Sequence, residues 1–132
     1  MDARQVIEAY YEAFNRKDWD AMLALMADDV AHDINQGGRE IGKKAFATFL
    51  AMMDEHYDER LTDVVVMTSA CGTRAAAEFT CAGTYRKAPE SLPTARGQRY
   101  SLPVGAFFEI ASGKIRRVTN FYNIRNWTRQ VQ

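Results

Sequence analysis

The chain has 132 residues, of which 47% are hydrophobic and 26% are charged, and its 17 basic and 17 acidic side chains cancel. These values predict one globular domain over residues 1–132. The lack of a basic excess argues against nucleic-acid binding. No apolar run approaches the roughly 18 residues of a membrane span, so we expect no membrane contact.

The N-terminal segment is acidic and amphipathic rather than a signal peptide, so we expect a cytoplasmic protein. Cys71 and Cys81 have no metal-ligand spacing, and in that compartment both thiols should be reduced. A disulfide across the turn between them stays open as an alternative. No other His, Cys or carboxylate spacing suggests a metal site.

Three helices are predicted in the first half of the chain. Apolar residues at helical spacing predict a helix over residues 3–15, and Asp18 can cap a second helix that ends near Asp28. A short strand follows at 30–35. The third helix should cover residues 43–56.

The second half changes to the alternating period of strands. Long strands are predicted at 61–70, 74–86, 97–110 and 114–124, with a Pro-containing loop at 87–96. Three helices followed by an antiparallel meander predict an α+β fold. We expect a strongly bent, mainly antiparallel sheet, packed on the three N-terminal helices as a cone-shaped barrel.

The last strand carries an amide on a face that should be buried. Alternation places Val118, Asn120 and Tyr122 on one face, and Ile115 and Phe121 on the other. A buried amide without hydrogen-bond partners costs roughly 1–3 kcal/mol. Asn120 is therefore expected to face the interior of the cone for a reason other than packing.

Three segments carry a resemblance to a known group of proteins: YYEAFNRKDWDAMLALMADDV, GREIGKKAFATFL and GAFFEIASGKIRRVTNFYN. Their order and spacing resemble those of the nuclear transport factor 2-like superfamily, which has the cystatin-like cone fold. Within it the chain is similar to SnoaL-like and ketosteroid isomerase-related proteins, small relatives of polyketide cyclases. The resemblance implies chemistry without a cofactor.

The resemblance implies an oxyanion donor on the first helix, at Tyr10. The two carboxyl groups of the isomerases fall on Ile34 and Ala106, and the aspartate base of SnoaL-like cyclases and limonene epoxide hydrolases falls on Asn120. None of these three side chains can accept a proton. The resemblance therefore implies neither steroid isomerisation nor limonene-type epoxide hydrolysis.

Two other side chains are the candidate bases. His32 is the position where the epoxide hydrolases have a tyrosine, with Asn35 near their asparagine, and Glu78 lies near their arginine–aspartate pair. A neutral imidazole can act as a base near pH 7, and a buried carboxyl would have a raised pKa. The alternatives are a hydrogen-bonded structural His32 and a Glu78 on the outer sheet face, paired with an arginine.

The isomerase-like and hydrolase-like registers disagree on the strand at 74–86. The first places Phe79, Cys81 and Tyr85 inside, and the second places Glu78 inside. Both remain open from the sequence. The candidate catalytic residues are His32, Glu78 and Asn120, and the candidate ligand-binding residues are Tyr10, Phe14, Ile34, Asn35, Phe49, Met53, Tyr85 and Tyr122.

The predicted function is the binding of a small, apolar ligand that carries a carbonyl or hydroxyl group. Catalysis, if present, would be isomerisation, cyclisation or hydration, and the alternative is a non-catalytic ligand-binding or protein-interaction module. Two strands are apolar on both faces, at Val64–Met67 and Ala106–Phe108. One layer of helices covers only one face, so we expect a homodimer through the other.

Overall fold

The computed structural model describes all 132 residues as four helices and six strands. They are α1 (Ala3–Asn15), α2 (Trp19–Ala24), β1 (Met26–Asp33), β2 (Arg39–Ile41), α3 (Lys43–His56), β3 (Tyr57–Thr68), β4 (Arg74–Tyr85), β5 (Arg99–Ala111), β6 (Lys114–Phe121) and α4 (Ile124–Val131).

The six strands form one mixed sheet in the order β2-β1-β6-β5-β4-β3. All neighbours are antiparallel except β1 and β6, which are parallel. The two edge strands, β2 and β3, do not pair, so the sheet is open. The α+β class is confirmed, whereas the expected closure into a barrel is replaced by an open sheet with helices on its inner face.

The N-terminal helices begin where their caps predict. The carboxylate of Asp2 accepts a hydrogen bond from the Gln5 amide, whose side chain reaches back to the Asp2 amide in a capping box. Asp18 caps α2 through the Ala21 amide, and α3 spans the predicted residues. The second helix is shorter than expected because the chain enters β1 at Met26, which pairs with Ile115.

A register shift in β6 corrects the predicted faces of the last strand. Glu109 pairs with Arg117, but the next residue, Ile110, pairs with Ile115. The extra residue, Arg116, turns outward and bonds to Asp29. Ile115 is thereby fully buried on the same side as Val118, not on the opposite face.

The end of the chain is helical, whereas the sequence predicted a strand as far as residue 124. The side chain of Asn123 accepts hydrogen bonds from the amides of Arg125 and Asn126 and so begins α4. Trp127 and Val131 on this helix are buried. They belong to a second apolar cluster, which comprises Tyr85, Tyr100, Leu102, Trp127 and Val131.

The larger apolar cluster lies between α1–α3 and the sheet and contains 22 buried residues. Cys81 is buried on β4 and Cys71 is exposed in the β3–β4 turn, and both are free thiols. None of the four helices is both long and apolar enough to cross a membrane.

Candidate active site

A cavity of about 510 Å³ lies between the helices and the inner face of the sheet. Of the 26 residues that line it, 20 are hydrophobic, so its walls favour an apolar ligand. Its volume falls in the usual range for small-molecule sites, about 300–1,000 Å³. Helices α1 and α3 form one wall, the strands form the other, and α4 closes one end through Trp127.

His32, on β1, lies in this wall and is only 2% exposed. Its ring packs against the rings of Phe46 and Phe49, with centroids 4.5 and 4.6 Å away. The Nδ1 atom is buried without a hydrogen-bond partner. Burial lowers the pKa of His32 to about 4, although the charge of Asp33 opposes this. The imidazole is therefore neutral near pH 7 and is a weaker base than an ordinary histidine.

Asn120, on β6, also lines the cavity. It is half-buried, and its side-chain amide makes no hydrogen bond within the chain. It therefore offers both an N–H donor and a carbonyl acceptor to whatever occupies the cavity. The expected inward position of Asn120 is the one that the structure has.

Most of the predicted ligand-binding residues line the same cavity. Asn35 is held in place because its Nδ2 atom donates to the backbone carbonyl of Tyr122, at 3.2 Å. Burial raises the pKa of Tyr10 well above its usual range, so this hydroxyl stays protonated. The predicted residues in the lining are Tyr10, Phe14, His32, Ile34, Asn35, Phe49, Met53, Asn120 and Tyr122.

Two predicted residues lie elsewhere. Glu78 is exposed on the outer face of the sheet, because the burial of β4 alternates and places Phe79 and Cys81 inside. The isomerase-like register of this strand is therefore the correct one. Tyr85 does point inward but is completely buried in the second cluster, where its hydroxyl donates to the carbonyl of Pro93 at 2.6 Å.

Glu59 is the one acidic side chain of the cavity and was not among the residues predicted from the sequence. Its Oε2 atom accepts a hydrogen bond from the hydroxyl of Tyr100, at 2.6 Å. Burial raises the pKa of Glu59, and the hydrogen bonds from Tyr100 and Cys81 partly oppose that change. The sequence did contain a signal, since Tyr57, Glu59 and Leu61 alternate towards the cavity. The predicted strand began only at residue 61.

Two other lining residues of the cavity reach the surface. Met52 is 38% exposed and Leu92 is 40% exposed. No lysine or arginine lines the cavity, and no cluster of three His, Cys, Asp or Glu side chains has the arrangement of a metal site. Its chemistry therefore depends on neutral polar groups and one carboxyl.

The chain is similar to a known protein family and to several solved structures. The model of the SnoaL-like domain matches residues 7–118. A candidate polyketide cyclase from Pseudomonas putida is 56% identical, with a TM-score of 0.98 over 100% of this chain and 99% of that one. A second, from Xanthomonas campestris, is 55% identical, with a TM-score of 0.96 over 98% of this chain and 96% of that one.

A more distant structure shares the fold. An epoxide hydrolase from M. tuberculosis, described as similar to limonene epoxide hydrolase, has a TM-score of 0.72 at 20% identity, over 98% of this chain and 88% of that one. A comparison with curated proteins finds no match.

Proposed function

Because the chain belongs to the SnoaL-like family, we propose that its cavity binds a small, neutral, largely apolar molecule with a carbonyl or hydroxyl oxygen. The protein then catalyses a cofactor-free acid–base reaction on that molecule. Cyclisation or isomerisation is the reaction type that the similarity to candidate polyketide cyclases supports.

The observation that carries this proposal is that three polar side chains of an apolar cavity have no partner: His32, Asn120 and Tyr11, whose hydroxyl is also buried and unpaired. The Nδ1 atom of His32 is buried and unpaired, and the amide of Asn120 makes no hydrogen bond within the chain. Such groups cost roughly 1–3 kcal/mol each where they are fully buried, as Nδ1 of His32 is. A ligand oxygen that bonds to them would recover part of this cost.

The charge of the lining limits the ligand. No cationic side chain is available for a carboxylate or phosphate, and an unpaired ion is costly in apolar surroundings. We therefore expect the ligand to enter as a neutral molecule whose rings or chains contact the aromatic walls.

The polar groups suit a reaction in which negative charge develops on a carbonyl oxygen. The amide N–H of Asn120 and the protonated hydroxyl of Tyr10 can each donate to such an oxygen. His32 is neutral near pH 7 because of its lowered pKa of about 4. We assign it to holding the substrate oxygen rather than to removing the proton, because a weak base is inefficient in that step.

The binding part of the proposal is tested with two ligands of similar shape, 2-acetonaphthone and 2-ethylnaphthalene. Only the first has a carbonyl oxygen. A net hydrogen bond of about 1 kcal/mol predicts that the ketone binds roughly fivefold more tightly. Each ligand is titrated against the intrinsic fluorescence of the two tryptophans, of which Trp127 lines the cavity.

The substitution Asn120→Leu should remove the advantage of the ketone and leave the affinity for the hydrocarbon unchanged or slightly higher. The matched control is Asn126→Leu, on α4 outside the cavity lining, which should keep the wild-type difference. Equal affinities of the two ligands for the wild type, or no saturable binding of either, would refute the proposal.

A further inference from the structure

Glu59 lies at one end of the cavity, near the start of β3. The register places it beside Gly83 on β4, and Gly83 beside Tyr100 on β5. The three residues thus form one row across three strands. Since directly paired residues share a face of the sheet, Glu59 and Tyr100 point to the same side.

The glycine in the middle of this row lets the two outer side chains meet. A Cβ atom at Gly83 would lie 2.3 Å from Cζ of Tyr100 and 2.4 Å from its hydroxyl oxygen. The tyrosine ring therefore occupies the place of the missing side chain. Its hydroxyl reaches across β4 and donates to Oε2 of Glu59 at 2.6 Å, and the ring itself is 4% exposed.

Glu59 makes no salt bridge through its carboxyl group, although the nearby charge of Lys17 lowers its pKa. The amine of Lys17 is nearby, but it bonds to the backbone carbonyl of Glu59 and, at 3.3 Å, to the carboxylate of Asp58. Tyr100 donates to one carboxyl oxygen, Oε2. The thiol of Cys81 also hydrogen-bonds to this carboxyl group and lowers its pKa, and both residues belong to the cavity wall.

Electrostatics give this carboxyl the properties of a base. Burial raises the pKa of Glu59, since the charged form is poorly solvated. A carboxylate with a raised pKa accepts protons more strongly than one in water, and efficiency is greatest as the pKa approaches the working pH. The bond from Tyr100 keeps the group oriented.

We propose that Glu59, positioned by Tyr100 across Gly83, is the proton-transfer residue of this cavity. The inference rests on the proposed function, since it assumes a ligand with a carbonyl group. Glu59 has this role instead of His32 and Glu78, the two bases that the sequence suggested. Glu59 is the catalytic residue, and Tyr100 is a positioning residue.

The proton transfer balances within one substrate molecule. The Glu59 carboxylate takes a proton from the carbon next to the carbonyl group. The C–H electron pair moves into the adjoining C–C bond, and the carbonyl electrons move to the oxygen held by Asn120. The protonated Glu59 then returns the proton to another atom of the same molecule, so no oxidant, reductant or co-reactant is needed.

Tyr122 shares the cavity wall with Asn120 and Glu59. It is two residues from Asn120 on the inner face of the chain, and both side chains line the cavity. Burial raises the pKa of Tyr122, and a hydrogen bond from Asn35 partly opposes this. The negative charge of Glu59 raises the same pKa further. A ligand oxygen at Asn120 therefore lies in the same cavity as a proton acceptor at Glu59.

The proposal is tested with 5-nitrobenzisoxazole, a small neutral probe that opens when a base removes its one ring C–H proton. The C–H and N–O bonds break, and the electrons form a nitrile and a coloured phenolate, so base strength is read directly. We expect the purified protein to open the probe at least 100-fold faster than acetate does at equal concentration and pH.

Glu59→Gln should abolish this excess, since the amide accepts no proton but still accepts the Tyr100 hydrogen bond. The matched control is Glu78→Gln, an exposed carboxyl on the outer face, which should leave the rate unchanged. Binding of 2-acetonaphthone by Glu59→Gln reports whether the cavity is intact.

If both glutamate variants react as fast as the wild type, or the wild type is no faster than acetate, Glu59 is not the base. If the ketone still binds in that case, the proposed binding function stands and only this inference fails.

Tyr100→Phe separates positioning from mere packing. The Tyr100 hydrogen bond lowers the pKa of Glu59, so its loss should move the midpoint of the pH–rate profile to higher pH. A profile that keeps its midpoint and only loses amplitude would show that Tyr100 has a structural role alone, and would contradict the positioning step.

Discussion

His32 is a buried imidazole whose ring lies between Phe46 and Phe49 and whose Nδ1 atom has no partner. Protonating it would place a cation in an apolar wall, and this is why its pKa falls to about 4. In the unfolded chain the imidazole is exposed to water, and its pKa is near the usual value of 6.5. The lowered pKa of His32 therefore contributes to the pH dependence of folding stability.

We predict that His32 makes the protein less stable as the pH falls from about 6.5 to about 4. In this window the unfolded state binds more protons than the folded state, so the free energy of unfolding rises with pH, by at most about 1.4 kcal/mol per unit. Urea unfolding at pH 7, 6 and 5 should show a smaller loss for His32→Leu than for the wild type. Parallel losses in the two proteins would contradict the lowered pKa.

The sequence resemblance implies that Asn120 stands where SnoaL-like cyclases and limonene epoxide hydrolases have an aspartate. Asn120→Asp places a carboxyl of nearly the same volume in the apolar cavity, with no cation in the lining. Its pKa should be raised, and an unpaired group should cost roughly 1–3 kcal/mol in unfolding free energy. Denaturation at pH 8 measures this loss, and a more stable variant would contradict it.

The same variant tests whether one carboxylate restores a relative's activity. We predict that neither the wild type nor Asn120→Asp hydrolyses limonene epoxide or isomerises an unsaturated ketosteroid. The other carboxyl positions of the isomerases are Ile34 and Ala106, and a missing base costs about 10²–10⁴-fold. Clear turnover of either substrate by the wild type would contradict the assignment of roles in the cavity.

Helix α4 closes one end of the cavity. Trp127 lines it and packs edge-on against Tyr85 and Tyr100, with centroids 5.1 and 6.0 Å away. The helix is anchored further by Gln130, whose amide exchanges hydrogen bonds with the backbone of Ser101. A short helix with two buried side chains thus holds one end of the site.

We predict that Trp127→Ala destabilises the protein by about 3–5 kcal/mol, because it leaves a cavity among large aromatic side chains. It should also weaken 2-acetonaphthone binding by removing part of the wall, and calorimetry measures this because the variant lacks the fluorescent Trp127. Arg129→Ala, at an exposed position of the same helix, is the control and should change stability by less than about 0.5 kcal/mol. A loss below 1 kcal/mol for Trp127→Ala would show that α4 is not a structural wall.

The elements that were predictable carry local signals. Asp18 caps α2 through its own side chain, and α3 follows an apolar period over its whole length. The bulge at Arg116 and the cap at Asn123 are set by pairing and packing with distant residues, which no local pattern reveals. Glu59 was missed for a related reason: β3 continues directly from α3, without the turn that would mark its start.

The outer face of the sheet has an exposed apolar patch. Its side chains are each about half exposed, and Phe107 and Phe121 contact one another with centroids 5.9 Å apart. The members of this patch are Val65, Met67, Phe107 and Phe121. Glu78 lies within the same region, since β4 pairs it with Val65 and Gly105.

We expect the protein to form a homodimer through this patch, because exposed apolar side chains at one site favour association. One chain has a mass of 15.0 kDa, and light scattering at micromolar concentration should give twice that mass. Phe107→Glu should shift the equilibrium to the monomer while leaving the cavity intact, and Arg16→Glu, an exposed change far from the patch along the chain, is the control. A monomer mass for the wild type would contradict the dimer.

The measurement that tests the central proposal most directly is the electron density of crystals soaked with 2-acetonaphthone. We predict the naphthalene rings against Phe49 and Tyr122, and the ketone oxygen within hydrogen-bond distance, about 3 Å, of the Asn120 amide or a ring nitrogen of His32. An unoccupied cavity at saturating ketone, or density only on the outer face of the sheet, would contradict the proposal that this cavity is the binding site.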